Sequence, residues 1–88
     1  MSVDEKSEFL FNLLMSKSND LNTIFARNLR RIRESKGISQ EELAVMAGLH
    51  RTFISQIERG RRNSTLDTVQ KIALTLNVGV EELFINEE

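Results

Sequence analysis

Four polar side chains in the middle of the chain have types and spacing suited to hydrogen bonding with nucleic-acid bases. They lie shortly after Gly48, where apolar residues recur at helical spacing, and this periodicity gives the four no place in a core. In the DNA major groove, arginine can make paired hydrogen bonds to guanine, and glutamine can make them to adenine. Serine and threonine can bond to phosphates or base edges. The candidate base-reading residues are Arg51, Thr52, Ser55 and Gln56.

A helical corner around Gly48 would present these side chains to a partner. Ser39 and Glu42 have the spacing of a capping box, which predicts the start of one helix. A turn at Gly48 and a second short helix from about Arg51 to Arg59 follow, because glycine readily takes the positive φ that such a turn needs. The side chains expected to fill the space between these helices are Leu43, Ala44, Ala47, Leu49, Ile54 and Ile57.

The rest of the chain also has helical periodicity and contains no proline, which predicts an all-α fold. The other expected elements are a helix over residues 2–16, a polar linker at 16–20, a helix from about Leu21 to Lys36 that ends at Gly37, a helix capped by Thr65 or Ser64, and a last short helix from Val80 to Ile85. The first helix should have one apolar face, formed by Phe9, Leu10, Leu13 and Leu14. The residues expected to face inward are Leu21, Phe25, Leu29 and Ile32, then Leu66, Val69, Ile72, Ala73 and Leu76. We expect residues 1–20 to be an N-terminal extension and residues 21–88 to be a DNA-binding and dimerisation domain.

The composition argues against several classes of function. The chain has no cysteine and one histidine, His50, so a zinc site is implausible and we expect neither a metal nor a cofactor. No nucleophile–base set or carboxylate pair stands out, which argues against an enzyme. No apolar run could cross a membrane, and acidic residues precede the first apolar patch, where a secretory signal would be positively charged. We therefore expect a cytoplasmic protein.

The net charge of −1 conceals an uneven distribution of charge along the chain. Residues 21–62 hold nine basic and four acidic residues, a net charge of +5, whereas residues 1–20 carry −2 and residues 63–88 carry −4. A basic middle segment is typical of a nucleic-acid footprint, but a solvated mixed surface would give the same count. Charge alone leaves both interpretations open.

The segment around Gly48 resembles the helix-turn-helix of the Cro/repressor-like (Xre) DNA-binding proteins. The residues that carry this resemblance are Gln40, Ala44, Gly48, Ile54 and Ile57, and the segment from Gln40 to Arg59 spans the motif without a gap. Residues 51–66 further resemble the controller proteins of restriction–modification systems, which are homodimeric regulators that activate and repress their own operon. His50 departs from that pattern, which has an aspartate cap there, and so do about twenty extra N-terminal residues. The resemblance implies a five-helix repressor-like DNA-binding domain from about Leu21 to Phe84, to which the helix expected over residues 2–16 is an extra N-terminal helix.

The same resemblance implies roles for individual residues. The four candidate base-reading residues map onto the family's base-reading positions. Contacts to DNA phosphates or their flanks are implied for Gln40, Phe53, Arg62 and Asn63, and a structural ion pair is implied for Arg33 with Glu58. Glu41 corresponds to a position where some family activators touch RNA polymerase, although an acidic residue in the first turn also stabilises a helix by itself.

Two hypotheses about function follow from the sequence. In the first, the protein is a transcriptional regulator that binds a near-palindromic operator as a homodimer and controls a restriction–modification operon. Its dimer surface would be the last short helix, which has too many apolar residues to bury alone: Val80, Leu83, Phe84 and Ile85. In the second, it is an antitoxin or another protein-interaction module that sequesters a partner protein through its N-terminal helix.

Overall fold

The regular structure of the protein is helical throughout the residues that the computed structural model describes, 5–10 and 20–86. Residues 5–10 belong to a first helix, α1. The following elements are α2 (Leu21–Ser35), α3 (Gln40–Ala47), α4 (Arg51–Glu58), α5 (Leu66–Leu76) and a 3-10 helix (Val80–Phe84). These five helices between Leu21 and Phe84, with no strand in the described ranges, confirm the predicted all-α class.

Much of the predicted N-terminal extension, residues 1–4 and 11–19, lies outside the described residues. These ranges include the apolar positions Leu13 and Leu14 and the linker before Asp20. Within the described ranges, no helix is both long enough and apolar enough to span a membrane.

Three helices begin at residues whose side chains accept hydrogen bonds from the first turn. Asp20 accepts from the Asn22 amide at 2.8 Å, Thr65 accepts from the Thr68 amide at 3.1 Å, and Ser39 forms the predicted capping box with Glu42. The structure therefore selects Thr65, rather than Ser64, as the cap of α5. His50 occupies the corresponding position before α4 but makes no side-chain cap bond.

The core lies where α2, α3, α4, α5 and the 3-10 helix meet. Its largest fully buried side chains are Leu29, Leu43, Ile54, Ile57, Ile72, Leu76 and Leu83. The Phe84 ring stacks on Phe25, with ring centroids 5.6 Å apart, so the C-terminal segment is packed against α2. This core fixes the orientation of α4, whose other face carries the candidate site.

Two of the predicted inward-facing residues are exposed. Leu21 is 66% exposed and Leu66 is 86% exposed, and each is the first residue of its helix. Successive steps of four residues drift by about 40° around an α-helix, so Leu21 lies about 80° from the buried Leu29. Leu66 is nearly aligned with the buried Ala73 but lies almost two turns away, at the end of the helix. The prediction was wrong at both positions.

Asn28 is a buried polar residue that joins α2 to the C-terminal segment. Its Nδ2 atom donates to the carbonyl oxygens of Leu83 at 3.0 Å and Ile85 at 2.8 Å, while its Oδ1 accepts from Arg31 at 3.2 Å. Buried backbone carbonyls need such partners, because an unpaired one loses its bonds to water without replacement. Asn28 therefore holds the end of the 3-10 helix in register with α2.

Candidate DNA-binding interface

The turn between α3 and α4 has the geometry predicted from its glycine. Gly48 has φ 69°, in the left-handed region, and the Leu49 amide donates to the Ala44 carbonyl at 2.8 Å. These features are typical of a helix end closed by a left-handed glycine. The chain then enters α4 at Arg51 after only two further residues, so α4 leaves the corner at a fixed angle to α3.

The outward face of α4 brings the four candidate base-reading side chains together. Arg51 and Thr52 are exposed, and Ser55 and Gln56 are half-buried. All four line one open concavity of about 300 Å³, together with Gln40 and Arg59. Arg59 has no role in the sequence-based prediction. Its spacing of four residues from Ser55 places it on the same helix face, and this was the signal that could have found it.

Glu58 anchors the far end of α4 to two other helices. Its carboxylate accepts from Arg33 Nε at 2.6 Å and Nη2 at 3.0 Å, and from Gln40 Nε2 at 3.1 Å. Arg33 also donates to the Ile38 carbonyl at 2.7 Å. The hydrogen bonds to Glu58 raise the pKa of Arg33 above its usual value. The ion pair implied by the resemblance is therefore present, and it ties α2 and the start of α3 to α4.

The basic loop after α4 folds back onto the same helix. Gly60 has φ 69°, and the Arg61 amide donates to the Gln56 carbonyl at 3.0 Å. The guanidinium of Arg62 lies over the Phe53 ring, 4.5 Å from its centroid, and Arg62 Nη1 donates to Gln56 Oε1 at 3.1 Å.

The tip of the same loop is attached to α2. Asn63 Oδ1 accepts a hydrogen bond from Asn22 Nδ2 near the start of α2. The candidate phosphate-contacting residues Arg62 and Asn63 are thus held beside the candidate base-reading face, with Arg62 lying over the ring of Phe53 on α4.

One of the four predicted dimer-surface residues is misplaced. Leu83 is fully buried in the core of its own protomer, so its assignment to a surface was wrong. The 3-10 helix turns Leu83 inward and leaves Val80 and Ile85 exposed at 43% and 42%. Phe84 is half-buried because it stacks on Phe25.

A helical corner with a polar, arginine-bearing second helix is the arrangement found in helix-turn-helix DNA-binding proteins. The profile of the family described as "Helix-turn-helix" matches residues 29–83. The chain is 46% identical to control protein C.BamHI of Bacillus amyloliquefaciens over 67 residues, which cover 75% of this chain and 83% of that protein. It is 43% identical over 68 residues to control protein C.SmaI of Serratia marcescens, covering 77% and 81% of the two chains.

A solved structure shows the same likeness in three dimensions. The restriction–modification controller protein C.AhdI of Aeromonas hydrophila superposes with a TM-score of 0.70 at 41% identity, covering 72% of this chain and 96% of that one. The chain therefore belongs to the helix-turn-helix family, among the relatives of the restriction–modification controller proteins, and is a DNA-binding transcription regulator.

Proposed function

We propose that this regulator binds a near-palindromic operator as a homodimer, with the two α4 helices in successive major grooves. The observation that carries the proposal is the outward face of α4, where Arg51, Thr52, Ser55 and Gln56 converge on one concavity. Half-sites would lie about 10 base pairs apart, or a multiple of that, because each helix must enter the groove from the same side of the duplex.

Flanking contacts would set the register of each protomer on the DNA backbone. Gln40 stands at the start of α3, where the helix N-terminus and its free amides favour a phosphate. The hydrogen bond from Gln40 to Glu58 supports this role, because it holds the side chain beside the α4 face. Phe53, Arg62 and Asn63 would supply the contacts on the other side of α4. Such contacts position a protein on DNA without reading its sequence.

The dimer surface would centre on Val80 and Ile85, with the exposed edge of Phe84 beside them. Their exposure leaves apolar surface that a second copy of the chain could cover. The bonds from Asn28 to the carbonyls of Leu83 and Ile85 support this assignment, because they give the segment a fixed shape before association. A twofold pairing of these segments would match the twofold symmetry of a palindromic site.

The names of the relatives suggest which genes are controlled. C.BamHI and C.SmaI are named as control proteins, and C.AhdI as a restriction–modification controller. We infer that the present chain controls a restriction–modification operon of the same kind, by binding and not by catalysis, in the cytoplasm where that DNA lies. RNA polymerase is a further proposed partner through Glu41. This carboxylate is exposed in the first turn of α3, near the exposed side chains of Val45 and Met46.

A second candidate function rests on the exposed apolar residues of α1. Phe9 and Leu10 are both exposed on this short helix. A partner protein could cover them, as an antitoxin captures its toxin, and this activity would be separate from DNA binding.

Selection of bound duplexes from a random DNA pool tests the first proposal. We expect the selected sites to contain two inverted half-sites at the stated spacing, and we expect the α4 face to be protected when bound. Selected sequences without symmetry, or a protein that remains monomeric on its best site, would contradict the dimeric arrangement.

A further inference from the structure

The loop arginine Arg62 is held by two side chains of the helix that carries the base-reading face. Its guanidinium lies 4.5 Å from the centroid of the Phe53 ring and donates to Gln56 Oε1 at 3.1 Å. Phe53 and Gln56 are three residues apart on α4, so they are neighbours on one side of the helix. The backbone bond from the Arg61 amide to the Gln56 carbonyl fixes the loop at the same point. Arg62 is therefore braced against α4 by contacts within the chain.

This contact restricts what the Gln56 amide can offer to DNA. A guanidinium has only donors, so the amide atom facing it must be the oxygen. The amide group is planar, and its NH₂ therefore points to the opposite side. Without Arg62, a half-exposed glutamine could present either end by rotating its last torsion. With Arg62 in place, Gln56 presents donors.

The combined edge of Gln56 and Arg62 should favour guanine. Guanine offers two acceptors in the major groove, O6 and N7, whereas adenine offers one acceptor beside the N6 donor. Paired hydrogen bonding between glutamine and adenine requires the amide oxygen to accept from N6. Arg62 already occupies one of the two lone pairs of that oxygen, so the N6 donor would have to approach beside the guanidinium donors. The Gln56 NH₂ and the Arg62 guanidinium together present donors that O6 and N7 of guanine can both accept, whereas adenine offers N7 alone.

We propose that Arg62 is a specificity-determining residue: stacked on Phe53, it fixes the Gln56 amide so that the pair selects guanine over adenine at one base pair of each half-site. The inference rests on the proposed function, since it assumes that α4 enters the major groove. It goes beyond a phosphate contact for Arg62, because it makes base preference depend on a residue outside the helix.

The test measures the affinity of four duplexes that differ only at the base pair read by Gln56. That position is the one where Gln56→Ala abolishes the preference. We expect the full-length wild-type protein to bind guanine there about tenfold more tightly than adenine, as one well-made base contact allows. Arg62→Ala should bring this ratio of affinities close to 1 or shift it in favour of adenine. Phe53→Leu should shift it in the same direction, because it removes the ring face and leaves Arg62 in place.

Arg61→Ala is the matched control. It removes the same charge from the same loop, and the bond from Arg61 to α4 runs through the backbone amide, which alanine retains. Arg61→Ala should weaken binding to all four duplexes while leaving the ratio of guanine to adenine affinity unchanged. Circular dichroism should show wild-type helicity for Arg61→Ala and Arg62→Ala, since both arginines are exposed.

Three results would overturn the inference. These are a wild-type preference for adenine at that position, an equal loss on all four duplexes with Arg62→Ala, or a Gln56→Ala protein that keeps every base preference. In each case selection by Arg51 would survive and the proposed function would stand. If the wild-type protein selects no sequence from the random pool, the proposed function itself fails.

Discussion

Arg33 and Glu58 form a bidentate ion pair that joins α2 to the last turn of α4, with N–O distances of 2.6 and 3.0 Å. The two side chains are only 9% and 3% exposed. Because Gln40 also donates to Glu58, one carboxylate sets the angle between α4 and the start of α3. The orientation of the base-reading face thus depends on the Glu58 carboxylate, which is itself not a candidate base contact.

Glu58→Gln should destabilise the protein more than it alters base preference. The substitution leaves a nearly buried arginine without its counter-charge, which we expect to lower the free energy of unfolding by about 3 kcal/mol. Urea denaturation measures the loss. Glu34→Gln is the control, since the Arg30–Glu34 pair is exposed and 3.5 Å long; its loss should be about 0.5 kcal/mol or less. Equal stability of the two variants would contradict a structural role for Glu58.

Arg51→Ala should weaken binding to the selected operator by about 1–3 kcal/mol and relax preference at one base pair per half-site. Arg51 is exposed at the first position of α4, where a recognition helix contacts base edges. Titration against the operator and its single-base variants separates the two effects. A uniform loss on every duplex would mean that Arg51 contacts phosphate alone.

Ile85→Glu and Val80→Glu should each convert the dimer to a monomer at concentrations where the wild-type protein is dimeric. A carboxylate placed in an apolar interface must give up its water, and this desolvation cost opposes association. Sedimentation equilibrium measures the change. Val45→Glu introduces the same charge at a more exposed apolar residue on α3 and should leave the dimer intact. If both test variants remain dimeric, the dimer interface must lie elsewhere on the protein.

Stability should fall as pH is lowered through the acidic range, because two helix-capping carboxylates titrate below their usual values. Hydrogen bonds from Thr23 and Asn22 lower the pKa of Asp20, and those from Ser39 lower the pKa of Glu42. A carboxyl whose folded pKa is depressed contributes stability that is present above its unfolded pKa, near 4, and is lost as pH falls through the folded value. The double variant Asp20→Asn with Glu42→Gln should flatten the dependence of unfolding free energy on pH between about pH 5 and pH 3. An unchanged slope would assign the acid sensitivity to other groups.

Deletion of residues 1–19 separates the two candidate functions. The cut keeps Asp20, which caps α2, together with every residue assigned to DNA binding or dimerisation. The shortened chain should bind the operator with the same base preference. If Phe9 and Leu10 bind a second protein, that binding should disappear while DNA binding remains. A folded but monomeric product that no longer binds DNA would place the dimer contact in the N-terminal helix.

Local signals in the sequence predicted the elements and their ends well. The capping box at Ser39, the glycine at position 48 and the apolar periodicity of α4 each act within a few residues, so their outcome depends little on the rest of the fold. Leu21 and Leu66 were predicted wrongly, because periodicity defines a face but does not show where the neighbouring elements stop. The prediction for Leu83 was wrong for a related reason, because the sequence of an apolar 3-10 segment does not reveal which of its residues turns inward.

Contacts between distant residues could not be predicted from the pattern of the sequence. The bonds of Asn28 cross 55 and 57 residues of chain, and an asparagine on an apolar helix face gives no hint of its partner. The Arg62–Gln56 bond spans six residues, but it depends on the backbone turn at Gly60. The Arg33–Glu58 pair was anticipated only through the family resemblance.

The central claim is that the outward face of α4 gives this protein its sequence specificity. The most direct measurement is the ratio of dissociation constants for scrambled DNA and selected operator at one fixed salt concentration. It should be made for the wild-type protein and for a variant with alanine at Arg51, Thr52, Ser55 and Gln56. We predict a wild-type ratio of about 10³ or more, and a ratio near 1 for the variant with its non-specific binding retained. A ratio near 1 for the wild-type protein, or a large ratio that survives the four substitutions, would contradict the claim.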